Sequence, residues 1–184
     1  MLMTASARKF ALTAHVMCSV GWLGAVVAFE ALAVGALTSP DVQLVRAAYV
    51  AMQPITWYAI VPLALASLLT GLVVSFGTQW GLLRHYWVVM KFVINIFAIV
   101  ILLRNTRQIA FVANAASQGM LFGTDMRGPG IRPIVVAGVA LLALAVATTL
   151  SIYKPRGMTP YGRRKELNRA ANSQRNHAPK GGPM

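Results

Sequence analysis

Four stretches of the chain are almost continuously apolar and cover residues 10–37, 56–76, 86–103 and 131–153. Each has about the 20 residues that an α-helix needs to cross a bilayer. Turn-forming segments separate them, as at Thr38, Ser39 and Pro40 after the first stretch. The pattern predicts an all-α membrane protein whose four helices run up, down, up and down as a bundle.

The first stretch has a second interpretation, a cleaved signal peptide. Arg8 and Lys9 precede it, and the tripeptide Ala31-Leu32-Ala33 resembles a cleavage site. The apolar core of a signal peptide is about 7–15 residues long. The first stretch is longer, so we expect it to remain as a membrane helix.

The chain is strongly basic, with a formal net charge of +13 from 17 lysine and arginine residues against four acidic ones. Eight of the basic residues follow Tyr153, and most others lie near the ends of apolar stretches. This distribution is typical of membrane orientation and argues against nucleic-acid binding. Arg8, Lys9 and the basic tail predict that both termini are cytoplasmic, although the loop after the third stretch is also basic.

The tail, residues 154–184, is rich in proline, glycine, asparagine and arginine and lacks apolar periodicity. Its composition predicts a mostly disordered segment after a transmembrane domain at residues 1–153. Because basic residues follow the last span directly, we expect the tail to contact anionic lipid head groups.

Polar side chains within the apolar stretches are the candidates for function: His15, Glu30, Lys91 and Asn95. A charged group at the bilayer centre costs about 2.5–3.5 kcal/mol on insertion scales, so such groups usually have partners or face the interior of a bundle. His15 and Lys91 each lie about five residues in from the same membrane surface, hence about 8 Å deep on two parallel helices. Glu30 lies near the opposite surface, where we expect an arginine as its partner.

The matching depth makes His15 and Lys91 candidates for one cofactor site. A neutral imidazole is the commonest side-chain ligand of haem iron, and a lysine could ligate iron or pair with a porphyrin propionate. Trp22 shares a helical face with His15, at i and i+7, and Asn95 shares one with Lys91, at i and i+4. We hypothesise that haem b lies between the first and third spans, with His15 as its metal ligand. The structural alternative is that Lys91 extends to the head groups and His15 bonds a neighbouring helix.

Two longer segments carry a resemblance to a known family. The segment LALASLLTGLVVSFGTQWGLLRHYWVVMKFVINI and the exit YKPRGMTPYGRR resemble a family of small four-helix membrane proteins of unknown function that is common in actinobacteria. The resemblance covers most of the chain. It implies a multi-pass protein of the bacterial plasma membrane and no demonstrated activity.

A shorter pattern has a more distant resemblance. The sequence H-x6-W-x-G at His15, Trp22 and Gly24, with Lys91 in HYWVVMKF, is similar to HemJ-type protoporphyrinogen oxidases and CopD-type copper-resistance membrane proteins. Likeness to the HemJ type implies a b-type haem with His15 as ligand, Lys91 as an essential residue, and Trp22 and Gly24 in packing roles. This chain departs from the pattern after Gly24, where AVVAFEALAVGAL, with Glu30, replaces a run that contains aromatic residues and arginine. The oxidase activity therefore does not follow from the resemblance.

Two other functions fit the same residues. One is a non-catalytic membrane subunit or scaffold, in which Lys91 and Asn95 join helices and the tail binds lipid, a second copy or another membrane protein. The other is copper transport, as the CopD likeness implies, with His15, Met17 and Cys18 as neighbouring ligands. Residues at i, i+2 and i+3 cannot all face one ion on a helix, so copper is the weakest of the three hypotheses.

Overall fold

The computed structural model describes residues 3–77, 86–118 and 131–153, and the pairs 159–160, 163–164 and 167–168. These residues form five α-helices: α1 (Ala5–Thr38), α2 (Val42–Ile55), α3 (Val61–Gly77), α4 (Tyr86–Ser117) and α5 (Ile131–Tyr153). A π-helical turn, Thr56–Ile60, joins α2 to α3 without a break. The prediction of an all-α fold is confirmed.

Four stretches of helix are long and apolar enough to cross a membrane: Ala5–Thr38, Val42–Gly77, Tyr86–Ser117 and Ile131–Ser151. The predicted start of the second span, residue 56, lies inside the continuous helix that begins at Val42. Large apolar side chains cover the outside, among them Phe10, which is 77% exposed. In a bilayer this surface contacts lipid tails, so the chain is a multi-pass membrane protein.

The four spans form a bundle in which α1 and α4 lie across from each other. α1 packs against α2, α3 and α5, and α4 packs against the same three helices. We call the end that holds the starts of α1 and α4 the N-terminal end, and the opposite end the far end. The predicted up-down-up-down four-helix bundle is confirmed.

The far end of the bundle extends beyond α5. Helix α1 has 34 residues and α4 has 32, which correspond to about 51 and 48 Å against a hydrocarbon layer of about 30 Å. Lys91, near the start of α4, contacts Ser151, near the end of α5. The shorter α5 therefore covers only part of α4, and the last turns of α4 project past it. Small buried side chains such as Ala33 and Ala116 let α1, α2 and α4 pack closely there.

The π turn follows a proline inside α2. Pro54 has no backbone N–H to donate to the helix, and the hydroxyl of Thr56 donates to the Met52 carbonyl at 2.8 Å. Met52, Thr56, Ile60 and Ala64 are all buried and lie four residues apart. In an α-helix, each residue of such a series is offset by about 40° around the helix axis from the one before. The wider π turn reduces part of this offset. The buried stripe therefore stays on one face from α2 into α3.

Several predictions from the sequence concern segments that lie outside the described residues. These segments are the loops 78–85 and 119–130 and most of the tail. Within the tail, the backbone amide of Arg163 donates to the carbonyl of Thr159 at 3.0 Å. The predicted disorder of the tail and its contact with anionic lipid stay predictions.

Candidate functional site in the bundle interior

His15 packs against α3. Its Nδ1 atom lies 3.1 Å from the carbonyl oxygen of Ser67 and 3.1 Å from Oγ1 of Thr70. A carbonyl oxygen only accepts, and the Thr70 hydroxyl donates to the Ala66 carbonyl at 2.6 Å. Nδ1 therefore carries the hydrogen and donates to both oxygens. This assignment leaves Nε2 of His15 with the lone pair.

Two serines extend this contact between α1 and α3. The Ser19 hydroxyl donates to the His15 carbonyl at 2.7 Å, and it lies 2.8 Å from the Ser67 hydroxyl. Since Ser19 uses its own hydrogen on the carbonyl, Ser67 is the donor in the second bond. Gly71, one turn beyond Ser67, lies against the His15 ring. Ser67 and Gly71 are small residues one turn apart on α3, and this side of the helix packs closely against α1.

Lys91 is held by α4 and α5. Its Nζ atom donates to the Ser151 hydroxyl at 3.0 Å and lies 4.7 Å from the centre of the Trp87 ring. Lys91 lies in the first two turns of α4, and His15 lies in the N-terminal third of α1. His15 and Lys91 thus share the N-terminal end of the interior, as their depth predicts. Each forms its described hydrogen bonds with a different neighbouring helix.

A cavity of about 810 Å³ lies between α1, α2, the π turn, α4 and α5. Its walls are mostly apolar and include the buried side chains Trp22, Met52 and Ala137. Among the predicted site residues, Trp22 lines this cavity, whereas His15, Lys91 and Asn95 do not. Of the four residues proposed for one haem site, one therefore lies on the cavity wall and three do not.

Four polar side chains line the cavity towards the far end of the bundle, next to the apolar Ile109, Phe111 and Val112. The polar side chains are those of Asn105, Arg107 and Gln108 from α4 and Arg132 from α5. The Asn105 amide is tied to its own helix, where it donates to the Ile101 carbonyl at 2.7 Å. From the sequence, arginines in this region were expected to set orientation or to pair with Glu30, and the cavity was not predicted. The sequence signal that could have indicated this site was the presence of these arginines beside two apolar spans.

Glu30 does not have its predicted arginine partner within the described residues. Its Oε2 atom is buried without a hydrogen-bonding partner there, and its Oε1 atom faces Gly138 of α5. The described hydrogen bond of Arg46, one of the expected partners, goes to the carbonyl of Ser117. Glu30 thus lies at the contact of α1 with α5, next to the cavity wall formed by Phe29 and Ala137.

The side chains suggested for copper do not converge. Met17 is 69% exposed on the lipid-facing surface, while His15 faces α3. Within the described ranges, no three His, Cys, Asp or Glu side chains come together as a metal site. Nothing in these side-chain positions supports a copper centre.

No known protein family, no curated protein and no solved structure matches this chain. The resemblances to the actinobacterial family and to HemJ-type and CopD-type proteins therefore stay predictions. Function has to be argued from the cavity and the two polar contacts at the N-terminal end.

Proposed function

We propose that this protein binds a hydrophobic ligand taken from the bilayer in the 810 Å³ cavity. The cavity itself is the observation that carries this proposal. Its volume lies within the roughly 300–1,000 Å³ typical of small-molecule sites. Its apolar walls offer few groups to hold water, so a hydrocarbon chain is the natural occupant in a membrane.

The cavity is accessible from the lipid. Phe97 of α4 and Leu142 of α5 both line it and are 64% and 68% exposed. A ligand can therefore enter between these helices without crossing the aqueous phase. Because lipid tails are as apolar as the walls, close packing around the chain must supply the affinity, since little hydrophobic driving force remains.

Filling the cavity tests this proposal. Ala137 of α5 lines the cavity and is buried, whereas Ala145 of the same helix is exposed and lies outside the lining. We expect Ala137→Phe to lose co-purifying lipid in native mass spectrometry after mild detergent extraction, while Ala145→Phe retains it. Equal lipid retention by the two variants, or none by the unaltered protein, would contradict the proposal.

Haem b binding is the second candidate, and the His15 geometry favours it. A histidine that ligates a metal usually donates its other ring N–H to a carbonyl or carboxylate. The bond from Nδ1 of His15 to the Ser67 carbonyl is of this kind and presents Nε2 as a ligand atom. Lys91 would then supply a positive charge for a propionate. Bound haem would supply one-electron redox chemistry.

An absorbance spectrum distinguishes the haem candidate from the first. With haem bound, the purified protein has a Soret band, and His15→Ala removes the band while the protein stays inserted. Trp22→Phe, which alters the cavity wall, should leave the band if His15 is the ligand. A spectrum without a Soret band, after expression with ample haem, rejects this candidate and leaves lipid binding unaffected.

A non-catalytic scaffold is the remaining candidate. The hydrogen bonds from Lys91 to Ser151 and from His15 to Ser67 are those expected of residues that only join helices. In this case the basic tail binds a partner or anionic lipid. Truncation after Tyr153 should then release a co-purifying protein from a haem-free preparation. Unchanged co-purification would contradict the proposal that the tail binds a partner.

A further inference from the structure

We infer that the ligand of the cavity is an anionic phospholipid whose phosphate binds between Arg107 and Arg132. This inference rests on the proposed lipid-binding function and adds the chemical class of the head group. Arg107 and Arg132 belong to different helices, α4 and α5, and both residues line the cavity towards the far end of the bundle. Arginine forms paired, charge-assisted hydrogen bonds with phosphate oxygens.

The depth of both arginines matches the lipid head groups. The apolar span Ile131–Ser151 has 21 residues, or about 31 Å, close to the hydrocarbon thickness of about 30 Å. Arg132 is the second residue of this span and therefore lies at the membrane surface.

Arg107 lies at nearly the same level. The contact of Lys91 with Ser151 fixes the register of the antiparallel helices α4 and α5. Arg107 lies 16 residues beyond Lys91 along α4, and the same distance back from Ser151 along α5 leads to position 135. Position 135 is within one turn of Arg132, so both guanidinium groups can reach one phosphate.

The described acidic residues do not neutralise these arginines. Of the four acidic residues in the sequence, Glu30 and Asp41 lie in the described part. Glu30 faces Gly138, and Asp41 accepts a hydrogen bond from the Gln43 amide at 2.9 Å. An anion that enters the cavity would therefore meet two positive charges that no described carboxylate balances.

The apolar wall below the arginines favours a phospholipid over a free phosphate. The lining continues along α4 from Arg107 back to Ile94, which is about 20 Å of helix. The exposed lining residues Phe97 and Leu142 open this wall to the bilayer. A soluble phosphate would leave the wall empty, whereas the tail of a lipid from the far leaflet fills it.

The test compares two lipids that share acyl chains and differ in head group, phosphatidylglycerol and phosphatidylcholine, in competition for the purified full-length protein by native mass spectrometry. We expect the unaltered protein to retain phosphatidylglycerol preferentially. Arg107→Gln and Arg132→Gln should each lower this preference by about tenfold, since a hydrogen bond to a charged group contributes about 1.5–3 kcal/mol. Lipid with either head group should still be retained by these variants.

Arg104→Gln is the matched control, because Arg104 is exposed, lies one turn from Arg107 and does not line the cavity. It should leave the preference unchanged, and the basic tail is present in every variant. Three results would overturn the head-group assignment: an equal loss in Arg104→Gln, no loss in the two other variants, or displacement of the lipid by inorganic phosphate alone. If the unaltered protein retains neither lipid, the proposed function itself fails.

Discussion

The imidazole of His15 rests on the backbone of Gly71, where a Cβ atom would come within 3.1 Å of the ring atom Cε1. This close approach brings Nδ1 of His15 within hydrogen-bonding distance of the Ser67 carbonyl. The contact joins α1 to α3 at the N-terminal end and gives a polar side chain within the span hydrogen-bonding partners.

Replacement of Gly71 by alanine should destabilise the bundle, because the added methyl group displaces the His15 ring from its hydrogen bond. Overpacking of this kind typically costs about 1–3 kcal/mol, less the gain in helix propensity. Gly24→Ala is the control, since a Cβ there meets nothing within 4 Å. Thermal unfolding in detergent should give a lower midpoint for Gly71→Ala than for Gly24→Ala, and the reverse order would contradict the contact.

The hydroxyls of Ser19 and Ser67 should couple energetically, because they lie 2.8 Å apart between α1 and α3. A double-mutant cycle with Ser19→Ala and Ser67→Ala should give a coupling of about 0.6 kcal/mol, the average for hydrogen bonds between membrane helices. Steric trapping in bicelles can measure this value. Strict additivity of the two substitutions would mean that the hydroxyls do not interact.

Ser151→Ala should lower stability by about 1 kcal/mol, because the Lys91 ammonium loses an acceptor at 3.0 Å inside the bundle. Thr149→Ala is a suitable comparison, since Thr149 is exposed and donates only to its own helix, at the Ala145 carbonyl. The measurement is the free energy of unfolding of the two variants, which should be lower for Ser151→Ala than for Thr149→Ala. If both lose the same amount, Lys91 draws no stability from α5 through Ser151.

Glu30→Gln should leave the protein as stable or make it more stable. The buried Oε2 atom has no hydrogen-bonding partner in the described structure, so removal of the charge removes a desolvation cost without breaking an ion pair. The apparent unfolding temperature in detergent checks this. A loss equivalent to about 3–5 kcal/mol, the cost of breaking a buried pair, would mean that Glu30 does have a cationic partner.

The spans were predictable because hydropathy alone determines which segments can enter a bilayer. The predicted ends of the first and last spans fall close to the ends of α1 and α5. The start of the second helix was missed because the prediction began that span at Thr56, where the continuously apolar stretch starts. In the structure α2 and α3 form one continuous helix through the π turn, a backbone feature that composition does not reveal.

The sequence predicted how deep His15 and Lys91 lie in the membrane, but not which residues they contact. Helical spacing predicts that His15 and Lys91 lie at the same end of the bundle, and both residues do lie near the starts of their helices. Spacing along one helix does not say which neighbour each side chain meets, and Ser67 and Ser151 come from helices far away in sequence. The cavity escaped prediction for the same reason, since it is a space between helices and has no sequence pattern of its own.

The π turn Thr56–Ile60 lies in the continuous helix that connects the cavity with the His15 contact. Thr56 and Ile60 line the cavity, and the same uninterrupted helix continues to Ser67 and Gly71. Each residue added to or removed from a helix turns all that follows by about 100°. If this turn became regular α-helix, the side of α3 that holds Ser67 and Gly71 would rotate relative to α2 and would move away from His15.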